Sequence, residues 1–180
     1  GEIALDVDAT GSSVNALKKS LSGSAHVALG AAAIKGFNLG ESLREAQALI
    51  SSRSAQTQSA DRAQQTGFSE LTASFVIRNG VAHNDDLSAK APLFRLTGTG
   101  DIDLAGERID YRAKAAVVGS AEGQGGRELD QLRGLSVPVK IVGPFDALKY
   151  EIDYKAVAPE MAKSRVKEKL QDKLRGLLKH

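Results

Sequence analysis

From Phe68 to Leu104 long strands of alternating apolar and polar residues, an Asn-Gly turn and an acidic NDDL patch follow one another without a break. Leu71, Ala73, Phe75 and Ile77 fall on one side and Thr72, Ser74 and Arg78 on the other, the period of a strand with one apolar and one wet face. Val76 is the single apolar exception on the wet side. Asn79-Gly80 supplies the two positive-φ residues that a type I′ hairpin prefers, so a second strand begins at Val81. A long strand from Leu93 to Leu104 follows, with a turn at Ala105-Gly106 and a partner from Arg108 to Val118. In that partner Ile109, Tyr111, Ala113, Ala115 and Val117 share one side, while Phe94 is assigned to the side opposite the groove-facing residues. Gly98 and Gly100, at alternate positions, are expected to leave a gap on one face and let the sheet bend.

The flanking regions extend the same picture. Ile3, Leu5 and Val7 alternate with acids in a first strand. Ser12 or Ser13 caps a short helix carrying Val14, Leu17 and Leu21 on one face. Strands are expected around 25–29 and 33–37, then a second helix capped by Asn38 with an apolar stripe from Leu39 to Ile50. Residues 51–67 are polar with no apolar period and read as a mobile loop. Ser136 to Val142 and Ala147 to Tyr154 form a closing pair around Gly143-Pro144, in which Pro138 calls for an edge or a bulge. From Ala156 onward the period turns helical, with Val166, Leu170, Leu174, Leu177 and Leu178 on one face and lysines and arginines around the rest.

Composition narrows the chemistry. At 180 residues with 42% hydrophobic content the chain suits one core, and with 4% aromatics and no Trp that core is built from aliphatic residues. A net charge of +2 does not mark a nucleic-acid binder. The absence of Cys removes disulfides, thiolate catalysis and the commonest zinc ligand. No run approaches the ~20 apolar residues of a spanning helix, so the chain is expected to be soluble. It opens in mid-pattern without Met, as a fragment of a longer protein would.

Asn84, Asp85 and Asp86 invite a calcium reading. A calcium loop instead spreads its oxygen ligands over alternate positions around a glycine, so turn formation, edge protection and local hydrogen bonding are the expected roles. His26 and His83 are isolated, Asp101 and Asp103 mark a wet face, and no nucleophile elbow, dinucleotide fingerprint or phosphate loop occurs. No enzyme, metal or cofactor is expected.

The segments FSELTASF (Phe68 to Phe75), NGV (Asn79 to Val81), NDDL (Asn84 to Leu87), PLFR (Pro92 to Arg95) and GTGDIDL (Gly98 to Leu104) stand in one order. With IDY at Ile109 to Tyr111 and GLSVPVKIVGPFD at Gly134 to Asp146, this order resembles the C-terminal region of the AsmA family of bacterial envelope proteins. Ala91-Pro92 departs slightly, since Ser-Pro is commoner there. The resemblance implies an amino-terminal inner-membrane anchor outside this chain and a place at the periplasmic face of the inner membrane in a Gram-negative bacterium. It also implies a part in outer-membrane biogenesis and phospholipid movement between the two membranes, along an elongated bridge with an apolar groove.

The expected fold is therefore α+β and β-dominant: a long, twisted, mostly antiparallel sheet with about three helices, one of them C-terminal and amphipathic. Residues 1–155 form the β-rich domain and 156–180 the basic helix. Phe75, Ile77, Leu93, Leu96, Ile102, Ile109, Tyr111 and Val117 are the candidates for a lipid groove or for core. Lys163, Lys167, Lys169, Lys173 and Arg175 are the candidates for contact with an anionic membrane surface or a partner. Expected partners are phospholipid, an upstream β-rich segment of the same protein, and a membrane surface or envelope protein. Two functions remain open at this point: a lipid-handling module, or an interaction domain whose apolar face is fully buried and which joins neighbours by strand addition.

Overall fold

The computed structural model describes residues 1–36, 57–59, 61–118 and 134–153, together with helical positions 156, 157, 159 and 163. Its elements are β1 (Glu2–Asp8), α1 (Val14–Ser20), β2 (Ser22–Leu29), β3 (Ala32–Gly36), β4 (Thr57–Ser59) and β5 (Asp61–Phe68), followed by β6 (Glu70–Arg78), β7 (Val81–Lys90), β8 (Phe94–Asp103), β9 (Arg108–Val117), β10 (Ser136–Pro144) and β11 (Lys149–Ile152). Nine strands form one sheet in the order β1-β2-β6-β7-β8-β9-β10-β11-β4, and every described pair is antiparallel. β-dominance is as the alternation implied. The helix count is not: among the described residues α1 is the one complete helix. The helix expected at 39–50 lies outside the described residues, and of 156–178 only Ala156, Val157, Pro159 and Lys163 are described, all helical.

The turns follow from residue chemistry. Asn79 and Gly80 both take positive φ, 50° and 79°, and close the β6–β7 hairpin with Arg78 opposite Val81. Ala91 and Phe94 exchange backbone bonds of 2.9 and 3.3 Å, so Pro92-Leu93 is the two-residue loop between β7 and β8. This moves Leu93 out of the strand and corrects the assignment of Phe94. Phe94 is buried on the same face as Leu96, because the strand's parity starts one residue later than the alternation suggested.

Two further corrections concern the sheet's far side. Residues 57–59 and 61–67, expected in a loop, belong to β4 and β5. Backbone ladders hold both, so the apolar period that marks a half-buried strand is missing there. Pro138 lies in β10, an interior strand flanked by β9 and β11. Its carbonyl accepts from the Asp153 amide at 3.1 Å on the β11 side. A strand residue points its N–H and C=O toward the same neighbour, so the missing donor faces β11 just beyond its last residue, Ile152, and the β9 ladder loses nothing.

β3 and β5 form a separate two-stranded ribbon, yet their register is that of the main sheet. The pairing Leu29↔Leu71 of β2 and β6 continues as Ala32↔Phe68, three residues on along each strand. The ribbon is thus the same strand pair bent at Gly30-Ala31 and Ser69. Its other end is fixed by β4, which pairs with β11 at the opposite side of the sheet. Eight residues of β5 reach ~26 Å, and the five strand spacings from β6 to β11 come to ~24 Å, so β5 is long enough to strap back across the strands between. Phe68, at the β6 end of the strap, is buried in a cluster with Phe94, Leu96, Ala115, Val137 and Tyr150, which Val157 joins from the start of the C-terminal helix.

Candidate functional site

The sheet has one apolar face, and its two halves differ. Over β7–β11 that face is closed: Ala89, Leu96, Ala113, Ala115, Val117, Val137, Val139 and Ile152 are buried with Phe68 and Val157 in one cluster, and Tyr111 is buried as well. Over β1 it is open. Ile3 and Leu5, cross-strand from Val27 and Ala25, are 69% and 65% exposed, and Val7, Ala25, Val27, Leu29, Leu71 and Phe75 are only half-buried. Neighbouring α1 adds exposed Val14 and Leu17 and buries none of its residues, so its apolar stripe does not serve as a core face.

Of the residues expected to line a groove, Ile77, Leu96, Tyr111 and Val117 are buried. Phe75, Leu93, Ile102 and Ile109 are half-buried. Phe75 alone of these stands on a strand next to β2, at the open end of the face. The residues that best fit an accessible apolar surface, Ile3 and Leu5, were read from their alternation as an ordinary first strand. What the alternation lacked was any sign that nothing in the described chain covers them. Lys163 is helical and exposed, and Lys167, Lys169, Lys173 and Arg175 lie outside the described residues.

NDDL is a bulge with its own caps. Between Asn84 and Leu87, β7 advances three residues while β8 advances two; between His83 and Ser88 it advances five while β6 advances four. The extra residue in β7 leaves the backbone of Ser74 on β6 without a ladder partner on the β7 side. The motif's side chains replace it. The Ser74 amide donates to Asp86 Oδ1 at 2.7 Å, and Asn84 Nδ2 donates to the Ser74 carbonyl at 2.8 Å and to Asp86 Oδ1 at 2.7 Å. The Tyr111 hydroxyl donates to Asn84 Oδ1, and the Thr99 hydroxyl donates to the Asn84 carbonyl at 3.0 Å. Asn84 is only 1% exposed.

This network accounts for the alternate glycines of β8. A Cβ on Gly98 would stand 2.5 Å from Tyr111 Cε1, and one on Gly100 would stand 2.6 Å from Tyr111 Cα. The gap expected at these positions exists, and the Tyr111 ring fills it. The Ser74 amide, with smaller help from the Ser74 and Asn84 side chains, holds the Asp86 carboxyl below its ordinary range against a partial opposing effect of burial. Burial pushes the Tyr111 phenol well up, and the nearby Asp86 charge adds to it.

Several other polar residues on the wet face pair locally. His83 Nδ1 lies 2.7 Å from Asp101, His26 Nδ1 lies 3.0 Å from the Ser74 hydroxyl, and Asp103 accepts from the Gly106 amide at 2.7 Å in the β8–β9 turn. Among the described residues no group of acids and histidines is arranged to hold a metal, and no helix is long and apolar enough to cross a membrane.

Comparison with known proteins bears on the same strands. The model of the AsmA family matches residues 1–87, which include the open β1–β2–β6 end and the NDDL bulge. Along 175 residues, 96% of the chain, it is 23% identical to Protein AsmA of Escherichia coli. This chain is AsmA-like. The likeness to that relative extends beyond the family-model match to the PLFR, GTGDIDL and GLSVPVKIVGPFD segments, since it covers nearly the whole chain. The chain spans 28% of the length of this relative. No solved structure matches it.

Proposed function

We propose that this chain is a non-enzymatic module of bacterial envelope biogenesis that handles phospholipid with the open end of its apolar sheet face. The observation that carries the reading is the contrast within one face: closed beneath Phe68 and Val157 at β7–β11, exposed at Ile3 and Leu5. A contiguous apolar surface of this kind suits acyl chains. The AsmA likeness supports the envelope setting, at the periplasmic face of the inner membrane, within a longer protein that bridges toward the outer membrane. In this reading the basic C-terminal segment that begins near Lys163 meets anionic headgroups.

A second reading is favoured by a different observation. β1 is an edge strand, so the outward backbone groups of Glu2–Asp8 have no ladder partner among the described strands. An upstream β-rich segment adding a strand there would bury Ile3 and Leu5 without any lipid. Native mass spectrometry of the purified protein separates the two. Co-purifying phospholipid that is lost in Leu5→Asp supports lipid handling; lipid-free spectra together with no binding to phospholipid vesicles would leave the strand-addition reading in its place.

A further inference from the structure

The wet face carries a feature that lipid handling on the apolar face does not use. Over β8–β11 it sinks into a groove of about 680 Å³. Cross-strand register sets its floor as two rows. Thr97 stands opposite Lys114 and Lys114 opposite Pro138; Thr99 stands opposite Arg112 and Arg112 opposite Lys140. Three cations thus occupy the middle of the groove, with Arg112 and Lys140 as direct cross-strand neighbours. Like charges placed so are destabilising unless an anion lies between them. Among the described residues none of the three is in an ion pair, although Glu151 is the cross-strand partner of Lys140.

We infer that Arg112, Lys114 and Lys140 bind the phosphate of a phosphate ester. A guanidinium offers a planar fork for two phosphate oxygens, and the two ammonium groups offer point charges on either side of it. The hydroxyls of Thr97 and Thr99 line the same groove, and the Pro138 ring supplies an apolar patch for the organic part of the ligand. The volume matches a small organic molecule rather than a bare ion. Three carboxylates also line the groove, Asp85 on the β7 side and Glu151 and Asp153 on the β11 side; they leave the basic middle between β9 and β10, disfavour an extended polyanion such as nucleic acid and restrict the site to a single phosphate group. The same chemistry is presented by a soluble ester and by a lipid headgroup.

The test titrates the folded chain with glycerol 3-phosphate, with glycerol, and with phosphatidylcholine vesicles with and without phosphatidylglycerol. The variants are the double substitution R112Q/K140Q and the control Lys149→Gln, an exposed lysine outside the groove, with circular dichroism confirming that each is folded. Saturable binding of glycerol 3-phosphate but not glycerol assigns a soluble ester; binding only to phosphatidylglycerol vesicles assigns a headgroup. In either case R112Q/K140Q binds about tenfold more weakly or worse, and Lys149→Gln binds as wild type. No saturable binding to either probe, or equal affinity for wild type and the double variant, overturns the inference. It does not rest on the apolar-face reading, because lipid-free native spectra leave it standing and a failed titration leaves that reading untouched.

Discussion

Replacing Asn84 by alanine removes three hydrogen bonds from inside the sheet at once. The amide donates to the Ser74 carbonyl and to Asp86, and it accepts from the Tyr111 hydroxyl. Two of the groups left behind have little recourse to water: the Ser74 carbonyl, orphaned by the bulge, and the buried Tyr111 hydroxyl. Each unsatisfied buried group costs about 1–3 kcal/mol, while the exposed Asp86 carboxylate keeps its Ser74 amide and is solvated, so the total is about 2–6 kcal/mol. Against a domain stability of about 5–15 kcal/mol, that is a large fraction. Tyr111→Phe deletes only one of the three bonds and is expected to cost about 1–2 kcal/mol. Because the phenylalanine no longer carries the hydroxyl that Asn84→Ala orphans, the double variant is less destabilised than the sum of the singles by about 1 kcal/mol. Urea unfolding followed by far-ultraviolet circular dichroism measures all four proteins. An Asn84→Ala cost within about 1 kcal/mol of zero, or strict additivity with Tyr111→Phe, would refute the network's role in holding the bulge.

Two further predictions concern the same strands. The Asp86 carboxyl is held below its ordinary 3.8, so its contribution is complete above that value and disappears as pH falls through the lower folded-state value. The stability gap between wild type and Asp86→Asn therefore persists at pH 5 and closes below 3.8 in pH-dependent urea unfolding. The Tyr111 phenol is raised above its ordinary 10.0, so its contribution is complete below pH 10.0 and fades as pH climbs beyond it, and Tyr111→Phe loses less stability on that alkaline limb than wild type. Gly98→Ala forces a methyl group against the Tyr111 ring and is expected to cost about 1–3 kcal/mol. A neutral result in the same unfolding assay would mean that the ring is not seated over β8.

Much of the sheet was legible in the chain because alternation and turn chemistry agree. Asn79-Gly80 names its own hairpin, and the apolar positions of β6 and β9 fall on the face where they are found. The strap was not legible, because β5 buries only its last positions, Thr66 and Phe68, among its described side chains, and takes its place from backbone pairing that leaves no mark on hydropathy. Phe94 was placed on the wrong side because a two-residue turn at Pro92-Leu93 resets the parity by one position. Local hydrogen bonding at NDDL was the right expectation. Its purpose was hidden, because a bulge is a relation between strands and the orphaned backbone belongs to Ser74, ten residues upstream of Asn84. The open face at Ile3 and Leu5 was equally hidden, since alternation says which way a residue points but not whether anything meets it.

The bent β3–β5 ribbon also bears on how the chain reaches this state. Strands β6 to β10 pair in sequence order, each with the next, so they form from near neighbours along the chain. The strap is anchored differently: Ser59 meets Lys149, 90 residues away, through a ladder of only three residue pairs. Closing so long a loop costs entropy that three backbone pairs repay only once the intervening meander is in place. The β4–β11 junction is therefore the last piece of the sheet to lock and the first to release. Its amides should exchange with solvent well before those of β8 and β9, and the protein should pass through a meander whose core is briefly uncapped each time the junction opens.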